Sequence, residues 1–130
     1  MVNDPIADLI TRLKNATLVQ KESVAMPYSK MKEAVALSLK KAGFVGEVTK
    51  EGDGVQRTLV VELKYQKGQP MIRGVQRISK PGRRLYAGVK EIHPVKYGKG
   101  ALILSTPRGI LTDAEARKVR AGGETLFKIW

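Results

Sequence analysis

The chain has 130 residues, 42% of them hydrophobic, and no cysteine, which suits one globular domain or two small modules and excludes disulfides and thiolate metal sites. With 24 Lys plus Arg against 12 Asp plus Glu, the formal net charge is +12; a polyanionic partner is the simplest explanation of such self-repulsion. No stretch approaches the roughly 18 apolar residues of a membrane span, and Met1-Val2-Asn3-Asp4-Pro5 lacks the basic, apolar character of a signal peptide, so a cytosolic protein with no membrane partner is expected.

Asp4 can cap a helix with Pro5 at its first position, and Ile6, Leu9, Ile10 and Leu13 follow on one apolar stripe, so the first element is predicted to be an amphipathic helix. Arg12 and Lys14 lie off that stripe, either solvated or set against phosphate. Asn15-Ala16-Thr17 fits the glycosylation pattern only by chance if the chain is not secreted. Val24-Ala25-Met26-Pro27 reads as a short extended piece. Ser29 then offers a cap for a second helix through Met31, Ala34, Val35 and Leu39, closed by Gly43 after Lys40 and Lys41. Phe44 to Lys50 and Thr58 to Tyr65 flank Glu51-Gly52-Asp53-Gly54 as a hairpin, with Leu59, Val61, Leu63 and Tyr65 alternating on its apolar face.

Gln66-Lys67-Gly68-Gln69-Pro70 breaks this pattern and marks the expected boundary between a module at 1–66 and a second at 67–130. Beyond it, Met71 to Ile78 looks extended, Ser79-Lys80-Pro81-Gly82 is a turn, and Arg83-Arg84-Leu85-Tyr86 resumes beside it. Lys64, Lys67, Arg73, Arg77, Lys80, Arg83, Arg84, Lys90, Lys96 and Lys99 share a span whose only acid is Glu91. Ala101 to Leu104 has the continuous apolar character of a strand buried on both faces. Ser105-Thr106-Pro107-Arg108-Gly109 has turn chemistry, and Thr112 with Glu115 three residues on predicts a capping box. The hydroxyls of Ser105 and Thr106 either satisfy their own turn or point outward as a fixed recognition loop. After Ala121-Gly122-Gly123, Glu124 to Trp130 alternates and should join the sheet carrying Leu102 to Leu104. These elements predict an α+β fold: an N-terminal two-helix α/β module packed against a mostly β C-terminal module with one short helix.

Enzyme chemistry is not written here. His93 is the only histidine and, without cysteine or a second histidine, makes neither a nucleophilic triad nor a zinc site. Gly98-Lys99-Gly100 begins like a dinucleotide fingerprint but has Ile103 where the third glycine belongs. The carboxylates are scattered among lysines and helix starts. No catalytic residue, metal or cofactor is therefore expected. What remains suits nucleic acid: cations for phosphate, aromatics able to stack, and a loop of small hydrogen-bonding groups. Tyr86, beside Arg83 and Arg84, is either a stacking platform or a core tyrosine closing the sheet edge. Glu124, an acid on a positive surface, either pairs with a neighbouring arginine or accepts from base amino groups. RNA fits better than DNA, because no helix carries the side chains of a major-groove reader. The rival classes are a general cationic binder of DNA or acidic proteins and a small enzyme.

The residues carry a resemblance. Asp4-Pro5-Ile6-Ala7-Asp8, Thr11-Arg12, Asn15, Pro27, Ser29-Lys30, Gly43-Phe44 and Arg77-Ile78-Ser79-Lys80-Pro81-Gly82 fit one pattern, as do Ser105-Thr106, Gly109-Ile110-Leu111-Thr112-Asp113, Ala116 and Gly122-Gly123-Glu124. Along essentially its full length the chain resembles the bacterial small-subunit ribosomal protein eight family. The resemblance implies a non-enzymatic constituent of the cytoplasmic small ribosomal subunit. It would bind the central domain of 16S rRNA early in assembly, help form the platform, and lie as a monomer among neighbouring small-subunit ribosomal proteins. It implies that the Ser105-Thr106 loop enters a distorted, internally paired region of an RNA helix, with Tyr86 and Glu124 in the same surface; with the cations and turn residues read above, the expected RNA-binding set is Ser105, Thr106, Pro107, Arg108, Gly109, Tyr86, Arg83, Arg84, Glu124 and Lys30. Family members can also repress a ribosomal-protein operon messenger by binding a similar structure in it. Pro107 stands where the family often has a third small hydroxyl residue, and His93-Pro94 and Lys99 vary the linker before Gly100.

Overall fold

The computed structural model describes residues 4–52, 54–95 and 99–130, which form two compact units divided between Arg73 and Gly74. The first unit opens with α1 (Pro5–Leu18), β1 (Ser23–Pro27) and α2 (Lys30–Lys41), then β2 (Val45–Glu51) and β3 (Thr58–Leu63). Its antiparallel sheet has the order β1-β3-β2. Asp4 caps α1 by accepting from the Ala7 N–H at 3.1 Å, and Ser29 caps α2 by accepting from the Lys32 N–H at 3.1 Å; each side-chain oxygen satisfies a donor that the first helical turn leaves free. Gly43, at φ +89°, turns the chain out of α2.

The core of this unit holds Ile6, Leu9, Leu13 and Ala16 of α1, Val35, Ala36 and Leu39 of α2, Met26 of β1, and Leu59, Val61 and Leu63 of β3. Two details differ from the pattern of the sequence. Ile10 is only half-buried, and on α2 the buried face runs through Lys32, Val35, Ala36 and Leu39 rather than through Met31 and Ala34. Lys32 turns inward because its ammonium reaches the Asp8 carboxylate and donates to the Pro27 carbonyl at 3.2 Å. The Gln66 to Pro70 stretch, read as a break, is itself a small hairpin of β4 (Tyr65–Gln66) and β5 (Gln69–Pro70), with Lys67 and Gly68 at φ +53° and +78°. The expected division after residue 66 falls inside that hairpin, whose strands pair with each other, and the chain divides seven residues later.

The second unit contains β6 (Val75–Arg77), β7 (Tyr86–Ala87), β8 (Ala101–Thr106), β9 (Gly109–Thr112), α3 (Asp113–Val119) and β10 (Gly123–Ile129). Its sheet has the order β6-β10-β8-β9, with β7 also pairing β10. The terminal strand expected from Glu124 onward is therefore β10, antiparallel to β8 with a bulge between Thr125 and Phe127. Ala101 to Leu104 are all buried. Leu102 and Leu104 pack with Ile92, Val95 and Ala116 in an apolar cluster. The extended stretch expected from Met71 narrows to three strand residues, 75–77. Lys96, named among the basic residues, and Asp53 of the β2–β3 connection lie outside the described residues.

Candidate nucleic-acid interface

The second unit concentrates positive charge: residues 74–130 carry 12 Lys plus Arg against 4 Asp plus Glu, whereas residues 1–73 carry 12 against 8. Within it, β8 and β9 form a hairpin whose turn is Pro107-Arg108, with Thr106 opposite Gly109. Gly109 takes φ +108°, a conformation L side chains rarely adopt, so glycine is required there. Thr106 is 9% exposed, and its hydroxyl donates to the Gly109 carbonyl at 2.9 Å and accepts from the Arg108 N–H at 3.1 Å. Of the two readings for the hydroxyls, Thr106 follows the first: it is spent on its own turn. Ser105, one residue back, points to the opposite face of the strand, and its side chain makes no hydrogen bond among the described residues.

Behind the hairpin, the capping box forms as expected. Thr112 Oγ1 accepts from the Glu115 N–H at 3.3 Å and Glu115 Oε1 accepts from the Thr112 N–H at 3.1 Å. Asp113, buried and not singled out by the sequence, ties α3 to the sheet. Its Oδ1 accepts from the Leu102 N–H at 3.1 Å, just past the end of the β8–β9 ladder, and its Oδ2 pairs with Arg117 at 3.0 Å. The turn is thus fixed to β8, and β8 is fixed to α3.

The register across the sheet brings distant residues into one row. Ser105 stands opposite Ile110 on β9 and Glu124 on β10, and Glu124 stands opposite Tyr86 on β7. Directly opposed residues share a face, so Ile110, Ser105, Glu124 and Tyr86 line up side by side. Gly123 lets the strands close: a Cβ there would collide with the Ser105 carbonyl, as one at Gly122 would with the Ala87 carbonyl. Tyr86 is 68% exposed, which rules out the core reading and leaves its ring open to stacking. Glu124 pairs with Arg84 at 3.8 Å and is only 17% exposed while Arg84 is 60% exposed. The carboxylate is thus part-neutralised, with acceptor capacity remaining.

The basic turn beside the row is held by another residue whose support role was missed. Ser79 is fully buried; its hydroxyl donates to the Leu85 carbonyl at 3.1 Å and accepts from the Leu85 N–H at 2.9 Å. Lys80 and Arg83 exchange backbone hydrogen bonds around Pro81-Gly82, and the Thr125 N–H donates to the Leu85 carbonyl at 2.9 Å. Arg83 and Arg84 therefore project from a short turn stapled to β10, and both are exposed.

Other named residues lie elsewhere. Lys30 is the exposed first residue of α2 in the first unit, outside this row. Arg12 is neither simply solvated nor free for phosphate: its Nε pairs with Asp8 at 2.9 Å and its Nη1 donates to the Ala25 carbonyl at 3.2 Å. His93 is exposed and lines a cavity of about 360 Å³ with Glu91, Lys128 and Trp130, apart from the row in the chain register. The row itself offers one hydroxyl, one carboxylate and one aromatic face, with guanidinium groups beside it. That set reads hydrogen-bonding edges and stacks on rings.

Comparison with known proteins agrees along the whole length. A family model described as ribosomal protein S8 matches residues 4–130. The chain is similar to small ribosomal subunit protein uS8 of Persephonella marina, 47% identical with 100% of both chains covered. It is also 46% identical to the proteins of that name from Burkholderia mallei and Burkholderia thailandensis, over 96% of this chain and 95% of theirs.

Proposed function

The chain belongs to the ribosomal protein S8 family, and from that premise we propose that its second unit binds an irregular helix in the central domain of 16S rRNA during small-subunit assembly. The family's role is structural and not enzymatic. The observation that carries the RNA reading is the row Ser105–Glu124–Tyr86, which sets a hydroxyl, a carboxylate and an exposed ring on one face of the more basic unit.

In this reading Tyr86 stacks on an unpaired base, Ser105 donates and accepts against a base edge or a ribose 2′-hydroxyl, and Glu124 accepts from a base amino group. Arg83, Arg84 and Arg108 meet phosphates and supply affinity without sequence information. Pro107, Gly109 and Thr106 shape the turn that carries Arg108. Lys30 meets phosphate from the first unit. The protein then sits as a monomer in the cytoplasmic small subunit, against neighbouring ribosomal proteins. The same surface accepts a similar fold in a ribosomal-protein operon messenger, which makes repression of that messenger a second role. Footprinting on whole small-subunit RNA tests the reading: protection confined to one irregular central-domain helix supports it, and diffuse protection across the RNA overturns it.

A further inference from the structure

The helices α1, α2 and α3 close alike. At each end the residue that turns the chain out donates its N–H to the carbonyl three residues back, and the next residue donates to the carbonyl five back. The pairs are Gln20 to Thr17 and Lys21 to Ala16, Gly43 to Lys40 and Phe44 to Leu39, and Arg120 to Arg117 and Ala121 to Ala116, all at 3.0–3.3 Å. This closure needs a left-handed residue at the turning position, where glycine is the usual occupant; φ is +53° at Gln20, +89° at Gly43 and +56° at Arg120. Glycine adopts that conformation freely, whereas an L side chain sets its Cβ against the following carbonyl. Gln20 offsets the strain, since its Nε2 donates to the Gly68 carbonyl at 3.2 Å. Arg120 does not: it is exposed, and its guanidinium makes no hydrogen bond or ion pair among the described residues. Nor does α3 need it for the negative end of its dipole, because Arg117 and Lys118 already stand in the last turn.

The place of Arg120 says what uses it. α3 packs through Ala116 on Leu102 and Leu104, the face of β8 opposite to Ser105, and its C-terminus comes out at the end of the sheet that carries the row. There the Gly122 and Gly123 backbones lie against Ala87 and Ser105. Three Cα steps separate Arg120 from Gly123, so the two Cα atoms are at most about 11 Å apart. We propose that Arg120 is a further RNA contact, its guanidinium meeting a phosphate at this end of the row. The inference rests on the RNA reading of the second unit and adds a residue to it. A guanidinium with no acid partner, on the more basic of the two units, is repelled by its surroundings until a polyanion arrives, and its planar fork of donors suits phosphate oxygens. The strain at Arg120 is therefore kept for the complex and not for the fold, which gives the test two opposite signs.

The full chain and its Arg120→Gly and Arg120→Lys variants are compared by thermal unfolding, followed by Trp130 fluorescence, and by titration with a central-domain 16S fragment at several salt concentrations. Arg120→Gly should melt about 2–6 °C above the parent, because glycine relieves the left-handed strain. It should nevertheless bind the fragment about fivefold to eightfold more weakly at about 0.1 M salt and flatten the slope of log affinity against log salt by about 0.7–0.9, the counterion release of one contact. Arg120→Lys keeps both the charge and the strain, so its slope and melting temperature should match the parent's. A glycine variant no more stable than the parent overturns the premise that the fold gains nothing from the arginine. A glycine variant with the parental slope overturns the contact and is the result expected if Arg120 meets a neighbouring protein's carboxylate instead; a lysine variant that loses as much slope as the glycine one also overturns it. A parent that fails to bind the fragment sinks the RNA reading and this inference together, whereas a binding parent whose slope survives Arg120→Gly sinks this inference alone.

Discussion

Asp113→Ala should destabilise the second unit more than any surface change of similar size. The carboxylate holds the N–H of Leu102, a buried strand residue that has no β9 partner at this position, because the ladder ends at Ile103 opposite Thr112. An orphaned buried donor costs about 1–3 kcal/mol. The Arg117 pair adds only about 0.3–0.5 kcal/mol, as an i,i+4 pair whose arginine still meets solvent. The expected loss is about 1.3–3.5 kcal/mol from these two effects together. Asp113→Asn keeps an oxygen for the Leu102 N–H and should recover all but about 1 kcal/mol, the share of the charge at the helix start and of the ion pair. Trp130, the sole tryptophan, belongs to the same unit, so urea unfolding followed by its fluorescence reports the right transition. An alanine variant as stable as the parent, or an asparagine variant as damaged as the alanine one, would refute this account of how α3 is tied to β8.

Thr112→Ala should cost about 0.5–2 kcal/mol in the same assay by removing the cap on α3; an unchanged midpoint would show that the capping box contributes nothing. In the first unit, the Lys32 hydrogen bond chiefly, with Arg12 adding and burial opposing, holds the Asp8 carboxyl below its ordinary range. A lowered folded-state value means stability that is present above the usual carboxylate pKa of about 4 and is lost as pH falls through the depressed one. Asp8→Asn should therefore melt below the parent at neutral pH, with the gap closing as pH falls below about 4, and a gap independent of pH would contradict the pairing. For RNA, Arg84→Gln should flatten the slope of log affinity against log salt by about 0.7–0.9, as one phosphate contact does. It should also weaken binding more than Arg83→Gln, because it leaves Glu124 without its partner; equal losses from the two variants would remove the ion pair from the account.

Helix ends were legible because capping is local: Asp4 with Pro5, Ser29, and Thr112 with Glu115 act within one turn, and each is found at work. The apolar run of β8 and the alternation of β3 and β10 were legible for the same reason. What could not be read was pairing over long separations. No local signal sets Glu124 opposite both Ser105 and Tyr86, so the row emerges only from the register. Nor does turn composition reveal that Thr106 faces inward while Ser105 does not; that follows from strand parity once the two-residue turn is known. Lys32 and Arg12 look like solvent-facing cations in a helical wheel, yet Asp8 of α1 draws both into structural bonds. Asp113 looked like a first-turn acid favoured by the helix dipole, and its second duty to Leu102 depends on where β9 stops.

Ser105 carries the central claim, and a titration of Ser105→Ala tests it most directly. Its hydroxyl makes no hydrogen bond among the described residues, so its loss should leave folding intact, whereas Thr106→Val removes two turn bonds and should lower stability as well as binding. Affinity is measured on a central-domain 16S fragment and on an unrelated RNA duplex, each at two salt concentrations. A hydrogen bond left without its partner in the complex costs about 1–3 kcal/mol, so Ser105→Ala should weaken the 16S fragment about fivefold to a hundredfold. The duplex affinity and both salt slopes should stay as in the parent, because an uncharged hydroxyl releases no counterions. Binding of the 16S fragment at parental affinity, or equal losses on both RNAs, would contradict a recognition role for this row.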